Sequence, residues 1–344
     1  MQHQKQPKPF YFQWHFLDQC PLRCAHCYQE GYASCDLPDN DVMTIASIME
    51  STLQKWERQG RVSLTGGEPF LKIDLLLKLL NFFEHSPHFY WMGILTNGVL
   101  INDAISDRLK GFEKLNEIQV SIDGSCAQVH DAIRGPGNFD HALNGLSILK
   151  RNGFTVSIMF TLHRKNAEDA PRMVELAEQL GVDFLTIERV VPNDDCARRE
   201  LFIAPRDLEK IYTSVYEKKK IVEGRSNLKV RVSRPLWGLV DEHAGGFCPA
   251  GLSCLSILHD GTILPCRRLE IPIGNVLRDG IFNPWYTSDV LWKLRNKKLL
   301  SDKCSECTIL GKCGGCRAIA YQMTGDFMAE DPQCWKDDEL KREV

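Results

Sequence analysis

The stretch at residues 18–28, DQCPLRCAHCY, places three cysteines in one short segment. Cys20, Cys24 and Cys27 have the spacing C-x3-C-x2-C, and no fourth cysteine follows at ligand spacing. A cubane 4Fe–4S cluster has four irons, each of which binds a thiolate. Three thiolates from this loop can hold three irons and leave the fourth iron open, where it can bind and activate a substrate.

Two simpler interpretations of the loop are less favoured. Zinc sites usually take paired C-x2-C units or histidines at defined spacing. His26 is adjacent to Cys27, which is poor geometry for joining the same metal. Disulfides are disfavoured because the chain has 14 cysteines and the features of a cytosolic protein. In a reducing compartment such clusters are more often metal ligands.

Length and composition describe an ordinary globular protein. The 344 residues are enough for two or three domains, and 43% of them are hydrophobic and 25% charged. The net charge of −3 gives no general attraction to nucleic acid or to anionic membranes. Residues 1–9 lack the apolar core of a signal peptide, and no run approaches the ~20 apolar residues of a membrane span. We therefore expect a cytoplasmic protein with neither a nucleic-acid nor a membrane partner.

From residue 10 to residue 223, short apolar segments alternate with segments whose apolar residues recur at a helical period. Strands are predicted at 11–17, 62–65, 90–96, 117–122, 155–162 and 184–191, and helices at 41–59, 73–84, 102–110, 139–152, 167–180 and 205–223. Six βα units imply a parallel sheet with the helices outside, and they are fewer than the eight that close a full barrel. The predicted fold class is α/β, an open (β/α)6 partial TIM barrel whose ligands bind at the C-terminal ends of the strands.

The remainder of the chain is predicted to form a second, smaller unit. It should contain a β-hairpin around Asp260-Gly261, because Asp-Gly is a turn signal, and short helices, one of them near 290–297. The predicted segments are a tail at 1–9, the partial barrel at 10–223, a connector at 224–246 with one strand at 229–233, and a small cysteine-rich domain at 247–344.

Polar and glycine residues follow three of the predicted strands at the edge where ligands bind. The GGEP turn after the second strand has glycines that permit close backbone approach, together with carbonyls and a carboxylate that can accept hydrogen bonds from an ammonium. Short polar side chains after the third and fourth strands can bond ribose hydroxyls, and a later arginine can clamp a carboxylate. Turn chemistry and ordinary solvation are the alternative explanations. The residues concerned are Gly66, Gly67, Glu68, Asn97, Ser121, Asp123 and Arg134.

The cysteine loop followed by the GGEP turn resembles the radical S-adenosylmethionine (SAM) superfamily. The resemblance implies that Cys20, Cys24 and Cys27 are catalytic. They would hold a 4Fe–4S cluster whose open iron chelates the amino and carboxylate groups of SAM. It also implies reductive cleavage of SAM to a 5′-deoxyadenosyl radical.

The same resemblance suggests roles for the polar residues of the barrel. The GGEP turn would hold the SAM amino group, and the segment from Ser121 to Arg134 would meet the SAM carboxylate. His26 matches a position that packs on adenine. Val191, at the end of the sixth predicted strand, would border adenine and substrate.

Eight further cysteines lie between residues 248 and 334. Their spacing, C-x5-C-x11-C followed by C-x2-C-x5-C-x2-C-x17-C, resembles the SPASM domain, the auxiliary-cluster extension of peptide-modifying radical SAM enzymes. A departure is the C-x2-C at 313–316, where many members have C-x3-C. A zinc ribbon is disfavoured because five residues between the C-x2-C pairs are far fewer than the usual ~15–20. The resemblance assigns one 4Fe–4S cluster to Cys248, Cys254, Cys266 and Cys316, and another to Cys304, Cys307, Cys313 and Cys334.

Three 4Fe–4S clusters are therefore expected, one that binds SAM and two auxiliary clusters that handle electrons. The three cysteines outside these sets, Cys35, Cys126 and Cys196, are interpreted as incidental or packing thiols. A low-potential electron donor such as ferredoxin or flavodoxin is the expected redox partner.

The substrate is encoded less plainly than the cofactors. The run at 313–318 and the residues after it resemble both maturases of ribosomally made peptides and enzymes that oxidise propionate side chains in alternative haem biosynthesis. Sulfatase-maturing enzymes usually carry an acidic residue directly after the third SPASM cysteine. This chain has Arg267 and Arg268 there, which argues against formylglycine formation.

The leading hypothesis is a radical SAM oxidoreductase that crosslinks or oxidises a peptide or protein. Because only a short polar tail precedes the first strand, a leader peptide would use a partner protein or the barrel mouth. One alternative is a small-molecule radical oxidase acting on tetrapyrrole propionates or a carbohydrate. Another is a non-enzymatic iron–sulfur electron carrier or sensor, although a carrier has no need of the GGEP turn or of Arg134.

Overall fold

The computed structural model describes residues 9–29, 36–192 and 200–336. Its strands are β1 Phe10–His15, β2 Gly60–Thr65, β3 Phe89–Thr96, β4 Leu115–Ser121, β5 Val156–Leu162, β6 Phe184–Arg189, β7 Lys229–Arg231, β8 Cys254–Ile257, β9 Thr262–Leu264 and β10 Gly274–Asn275. They form one ten-stranded sheet in the order β10-β9-β8-β1-β2-β3-β4-β5-β6-β7. Strands β1 to β7 are parallel to one another and build the partial barrel.

Helices cover the outside of this sheet. They are α1 Asp39–Lys55, α2 Ile73–His85, α3 Asp103–Leu109, α4 Ala127–Arg134, α5 Asn138–Arg151, α6 Ala170–Gln179, α7 Pro205–Glu223, α8 Val276–Asp279, α9 Phe282–Thr287, α10 Asp289–Arg295 and α11 Arg317–Thr324. Helix α3 begins where the sequence predicts, since the side chain of Asn102 accepts a hydrogen bond from the amide of Ile105 at 2.9 Å.

Strand β1 illustrates why the sequence adopts a barrel. Phe12 and Trp14 are fully buried, and the Trp14 ring meets Phe83 of α2 edge-on at 6.4 Å between centroids. Gln13 and His15 alternate with them, are half-buried and face the inside of the barrel. The barrel therefore has a dry outer layer against the helices and a more polar interior that leads to the C-terminal ends of the strands.

The predicted six-stranded barrel is present, and both of its edges are extended. Strand β7 adds a seventh parallel strand beside β6. Strand β8 pairs in parallel with β1, from Tyr11 opposite Cys254 to Trp14 opposite Ile257. The predicted hairpin forms between β8 and β9, and Gly261 in its turn has a φ of 82°. Edge strands expose unsatisfied amides and carbonyls, so these additions protect the opening of the barrel.

Helix α4 was not among the predicted helices. Its sequence, AQVHDAIR, is amphipathic, but it spans only eight residues and is polar on average, so it does not stand out from a loop. Tertiary contacts hold it in place. Near its C-terminus the carbonyl of Ile133 accepts a 2.9 Å hydrogen bond from Ala25, which lies inside the cysteine loop.

The cysteine-rich unit is continuous with the barrel sheet through β8, β9 and β10. The segment boundaries at 223/224 and 246/247 stay predictions. Cys126 is exposed rather than packed, because it precedes α4 at the surface, and Cys35 and Cys196 lie outside the described residues. No helix within the described ranges has both the length and the apolar character needed to cross a membrane.

Candidate active site

The cysteine loop and the GGEP turn pack backbone against backbone at the C-terminal edge of β1 and β2. The amide of Gly67 donates to the carbonyl of Leu17 at 2.9 Å, and the amide of Glu68 donates to the carbonyl of Gln19 at 2.8 Å. A Cβ atom on Gly67 would lie 2.0 Å from that Gln19 oxygen, and one on Gly66 would lie 2.3 Å from the Leu17 oxygen. The two glycines are therefore required for close approach of the turn to the cysteine loop, before any ligand is considered.

Glu68 supports the ends of two strands through hydrogen bonds of its carboxylate, and its predicted contact with a ligand ammonium stays a prediction. Its side chain is fully buried. One carboxylate oxygen accepts from the amide of Phe70 at 3.2 Å and from the hydroxyl of Thr96 at 2.7 Å, and the other accepts from the amide of Asn97 at 2.9 Å. Burial raises the pKa of Glu68 to about 7, against the lowering effect of these bonds. The carboxylate thus joins the ends of β2 and β3.

Asn97 is held by this arrangement beside the cysteine loop. Its side-chain oxygen accepts from the amide of Val99 at 3.0 Å, and its side-chain nitrogen lies 3.8 Å from the sulfur of Cys20. Burial raises the pKa of the Cys20 thiol to about 11, so ligation of a metal there must displace a proton. Asn97 is the residue of the third strand end that reaches the predicted cluster.

Asp123 and Arg134 form a buried ion pair next to the same loop. The Nε of Arg134 donates to an oxygen of Asp123 at 2.6 Å, and its Nη1 lies 3.8 Å from the sulfur of Cys24. The other Asp123 oxygen accepts from the amide of Thr161 at 2.7 Å. Burial disfavours the charged form of Asp123, yet Arg134, His26 and the Thr161 amide together hold its pKa below the usual value.

The Asp123 carboxylate is enclosed by the protein, and its predicted contact with ribose stays a prediction. The residue positions Arg134, which keeps one edge of its guanidinium toward Cys24. The prediction that Arg134 meets the SAM carboxylate remains a prediction. Its location beside a cysteine of the loop is what that role requires.

Three histidines surround the Asp123 carboxylate. His26 Nε2 lies 3.4 Å from Asp123, His130 Nδ1 accepts from the Asp123 amide at 3.1 Å, and the His163 ring is 6.0 Å from the His26 ring between centroids. Burial lowers the pKa of each to about 4, so all three are neutral at neutral pH. The Nε2 edge of the His26 ring faces Asp123, and its predicted packing on adenine stays a prediction. His130 and His163 carry no motif in the sequence and were missed.

Ser121 and Val191 lie at the predicted strand ends. The hydroxyl of Ser121, half-buried at the end of β4, bonds to no other residue that the structure describes. Val191 is buried just after β6, and its backbone hydrogen-bonds to the phenol of Tyr28. Tyr28 directly follows Cys27, so the end of β6 is tied to the cysteine loop. Burial raises the pKa of Tyr28 to about 12.

The predicted auxiliary ligands come together in two separate sets. In the Cys254 set, Cys254, Cys248, Cys266 and Cys316 are near neighbours; burial, together with the charges of Cys266 and Cys316, raises the pKa of Cys248 to about 12. Four thiols from segments far apart in the sequence thus lie near one another. The family resemblance assigns these four cysteines to one auxiliary cluster, and that assignment stays a prediction.

The Cys313 set, Cys304, Cys307, Cys313 and Cys334, lines a single small cavity. Burial raises the pKa of Cys334 to about 12, with Cys313 adding to the effect. No disulfide joins the cysteines within the described ranges. In that same part of the chain, no three such side chains converge on one point as ligands of a single ion would.

A network of charged side chains lies between the barrel mouth and the two auxiliary sets. Arg189, at the end of β6, is buried and donates to both oxygens of Asp331 at 3.0 and 2.7 Å and to Gln333 at 2.9 Å. Arg267 lies with its guanidinium 5.2 Å from the centre of the Tyr28 ring and donates to Glu270 at 2.6 Å. The network locks the cysteine-rich unit onto the barrel.

Glu188, also at the end of β6, accepts a hydrogen bond from Arg234. It also forms an ion pair with Arg268, whose Nη2 lies 3.0 Å from its carboxylate. The sequence places Glu188 at the end of a strand, but it gives no sign of Arg234, which lies in the predicted connector. Only the return of that connector to the mouth of the barrel brings the two residues together.

Comparison with known proteins agrees with this geometry. Residues 14–177 match the family model described as the radical SAM superfamily, and residues 248–308 match the model of the SPASM iron–sulfur cluster-binding domain. The chain therefore contains a radical SAM domain followed by a SPASM domain. Its cofactors are accordingly 4Fe–4S clusters and SAM.

Among curated relatives, the AdoMet-dependent heme synthase of Methanosarcina barkeri is 28% identical, over 93% of this chain and 95% of that protein. The pre-heme d1 synthase of Dinoroseobacter shibae is 27% identical, over 96% of this chain and 86% of its own length. Both matches run through the barrel and the cysteine-rich unit.

Two solved structures share the fold. SuiB of Streptococcus suis, solved with bound SAM, has a TM-score of 0.75 at 18% identity, covering 95% of this chain and 77% of its own. Native anSMEcpe with bound AdoMet has a TM-score of 0.76 at 16% identity, covering 97% and 96%. These likenesses show that the chain shares its overall fold with the two proteins.

Proposed function

We propose that this radical SAM enzyme is an oxidoreductase that acts on propionate side chains of a tetrapyrrole. The observation that carries the proposal is the match with an AdoMet-dependent heme synthase over 93% of this chain and 95% of the relative. Arg267 and Arg268 near Tyr28 agree with it, because guanidinium groups can pair with the carboxylates that the substrate carries. Of the hypotheses drawn from the sequence, the relatives favour the small-molecule oxidase over the peptide-modifying enzyme.

Each cysteine set has a separate role in the proposed reaction. In this proposal Cys20, Cys24 and Cys27 bind the cluster whose open iron holds SAM, and the Cys254 and Cys313 sets bind the auxiliary clusters. When bound, the SAM-binding cluster supplies the electron that cleaves SAM to a 5′-deoxyadenosyl radical. Arg134 orients the SAM carboxylate, and Asp123 keeps Arg134 in place.

The proposed reaction is a hydrogen abstraction followed by a one-electron oxidation of the substrate radical. A hydrogen atom leaves the carbon next to the ring and ends on 5′-deoxyadenosine. The substrate then loses carbon dioxide and one electron, which leaves a vinyl group, and the electron passes to an acceptor of the iron–sulfur class. A low-potential donor such as ferredoxin or flavodoxin returns the enzyme to its reduced state.

An anaerobic assay tests the proposal. The reconstituted enzyme is mixed with SAM, dithionite and an iron coproporphyrin, which carries a propionate on each pyrrole ring. We expect 5′-deoxyadenosine together with porphyrins lighter by one carbon dioxide and two hydrogens for each modified side chain. Formation of 5′-deoxyadenosine with an unchanged porphyrin would contradict it, and a parallel incubation with a peptide encoded beside the gene would then decide for the peptide hypothesis.

A further inference from the structure

One carboxylate at the end of β6 is shared by two arginines. Glu188 is 12% exposed, accepts from the Nε of Arg234 and lies 3.0 Å from the Nη2 of Arg268. Two guanidinium groups face one carboxylate, so these three side chains together carry a surplus positive charge. Positive charge in a partly desolvated place attracts anions more strongly than it does in bulk water.

The terminal nitrogens of the Arg234 guanidinium are available to donate hydrogen bonds. Of its three guanidinium nitrogens only Nε has a hydrogen-bond partner among the described residues, and 43% of its side chain is exposed. The terminal nitrogens of a guanidinium form a planar pair that matches the two oxygens of a carboxylate. The neighbouring arginines are engaged more fully, since Arg189 holds Asp331 bidentately and Arg268 also donates to the Arg189 carbonyl at 3.1 Å.

Arg234 lies in the predicted connector and reaches the end of β6 through Glu188. Arg268, two residues after Cys266, lies 3.0 Å from the same carboxylate and donates to the Arg189 carbonyl at 3.1 Å. The pair of arginines thus lies where the end of β6 meets the segment that carries Cys266.

We propose that Arg234, supported by Arg268 and Glu188, binds a carboxylate group of the substrate at the barrel mouth. The inference rests on the proposed function for the identity of that substrate, a tetrapyrrole that bears propionates. Arg234 contacts the carboxylate through its terminal nitrogens, and Glu188 is a positioning residue that fixes the guanidinium plane. A carboxylate held here would place its side chain between the site of hydrogen abstraction and a cluster that accepts the electron.

A binding titration tests the subsite without turnover. Reconstituted wild type, Arg234→Gln and Arg234→Lys are titrated anaerobically with iron coproporphyrin, and binding is followed in the porphyrin absorption band. We expect about tenfold weaker binding for Arg234→Gln and a smaller loss for Arg234→Lys, which keeps the charge without the planar pair of donors. The tetramethyl ester of the same porphyrin should bind wild type and Arg234→Gln equally.

Arg225→Gln is the matched control. Arg225 forms a similar pair with Glu178, at 2.8 and 2.6 Å, on the outside of the barrel with 59% of its side chain exposed. This variant should bind iron coproporphyrin as wild type does. The midpoint potentials of the auxiliary clusters are measured in all variants, because Arg234 could instead serve to balance cluster charge.

The outcomes separate the two proposals. If wild type binds no iron coproporphyrin, the proposed function fails and the ligand of this subsite fails with it. If wild type binds and Arg234→Gln binds equally well, the subsite alone is overturned. A potential shift in Arg234→Gln with unchanged porphyrin affinity would assign Arg234 to charge balance, and an equal loss of ester binding would assign it to the shape of the mouth; either result overturns the carboxylate contact.

Discussion

Arg134 donates to the fully buried carboxylate of Asp123 at 2.6 Å while its Nη1 lies 3.8 Å from the sulfur of Cys24. The ion pair therefore connects the end of β4 with the cysteine loop that follows β1. A buried charge that loses its partner is strongly destabilising, whereas removal of both charges is tolerated much better. This relationship makes the pair a structural support of the site as well as a candidate contact for SAM.

The first prediction concerns this ion pair. Arg134→Gln leaves the Asp123 carboxylate without its main counter-charge, so we expect the free energy of unfolding to fall by about 3 kcal/mol. The double variant Arg134→Gln/Asp123→Asn should recover most of that loss. Urea unfolding followed by tryptophan fluorescence measures both. A double variant no more stable than Arg134→Gln would mean that the pair contributes little as a pair.

The second prediction concerns the GGEP turn. Gly67→Ala would set a Cβ 2.0 Å from the carbonyl oxygen of Gln19, so the cysteine loop must move. We expect loss of the SAM-binding cluster, seen as a fall from about 12 to about 8 irons per chain after reconstitution. Gly311→Ala is the control, because a Cβ there meets nothing within 4 Å. Equal iron in Gly67→Ala and wild type would argue against the packing role of this glycine.

The third prediction assigns the cysteine sets. Replacement of Cys20, Cys24 and Cys27 by alanine together should remove about 4 of about 12 irons per chain and abolish formation of 5′-deoxyadenosine. Cys126→Ala, at an exposed position outside all three sets, should change neither quantity. Iron, sulfide and zinc are measured on the same samples. Zinc in place of iron would refute the cluster assignment.

The fourth prediction concerns pH. His26, His130 and His163 have folded pKa values near 4, below the usual 6.5, so they stabilise the fold fully above about pH 6.5 and lose that contribution as the pH falls toward 4. Lowering the pH from about 7.5 to about 5 should therefore reduce the free energy of unfolding by about 2 kcal/mol for each of these histidines. Glu68 acts in the opposite direction, because its raised pKa of about 7 favours the fold at low pH.

A variant isolates the histidine contribution from that of Glu68. In the wild type, His163 Nδ1 accepts a hydrogen bond from the amide of Lys165 at 3.2 Å. His163→Gln keeps an acceptor for that amide, but the glutamine does not titrate. Unfolding free energies of wild type and variant, measured at several pH values, should therefore converge as the pH is lowered. A constant difference between the two curves would exclude a buried neutral imidazole at this position.

Much of the molecule was predictable from local signals. Apolar patterns located both ends of each of the six barrel strands to within two residues. For example, β3 is Phe89–Thr96 and was predicted at 90–96. The cysteine spacing singled out the loop of Cys20, Cys24 and Cys27, because three thiolates can hold three irons of one cluster. The division of the eight later cysteines into two sets came from the family resemblance and stays a prediction. In contrast, α4 was missed because its eight residues are polar on average and form too short a segment to stand out, although they are amphipathic and pack against the cysteine loop.

By itself the sequence determined the cofactor chemistry and the barrel, since thiolate spacing and strand periodicity are local properties of the chain. Only the tertiary structure decided what surrounds the site. It enclosed Glu68 and Asp123 as supports, joined β8 to β1, and brought Arg189 against Asp331, 142 residues away in sequence. Such contacts depend on how distant segments return to the barrel mouth, and no local pattern records that. The meeting of Arg234 with Glu188, on which substrate binding is proposed to depend, is of this second kind.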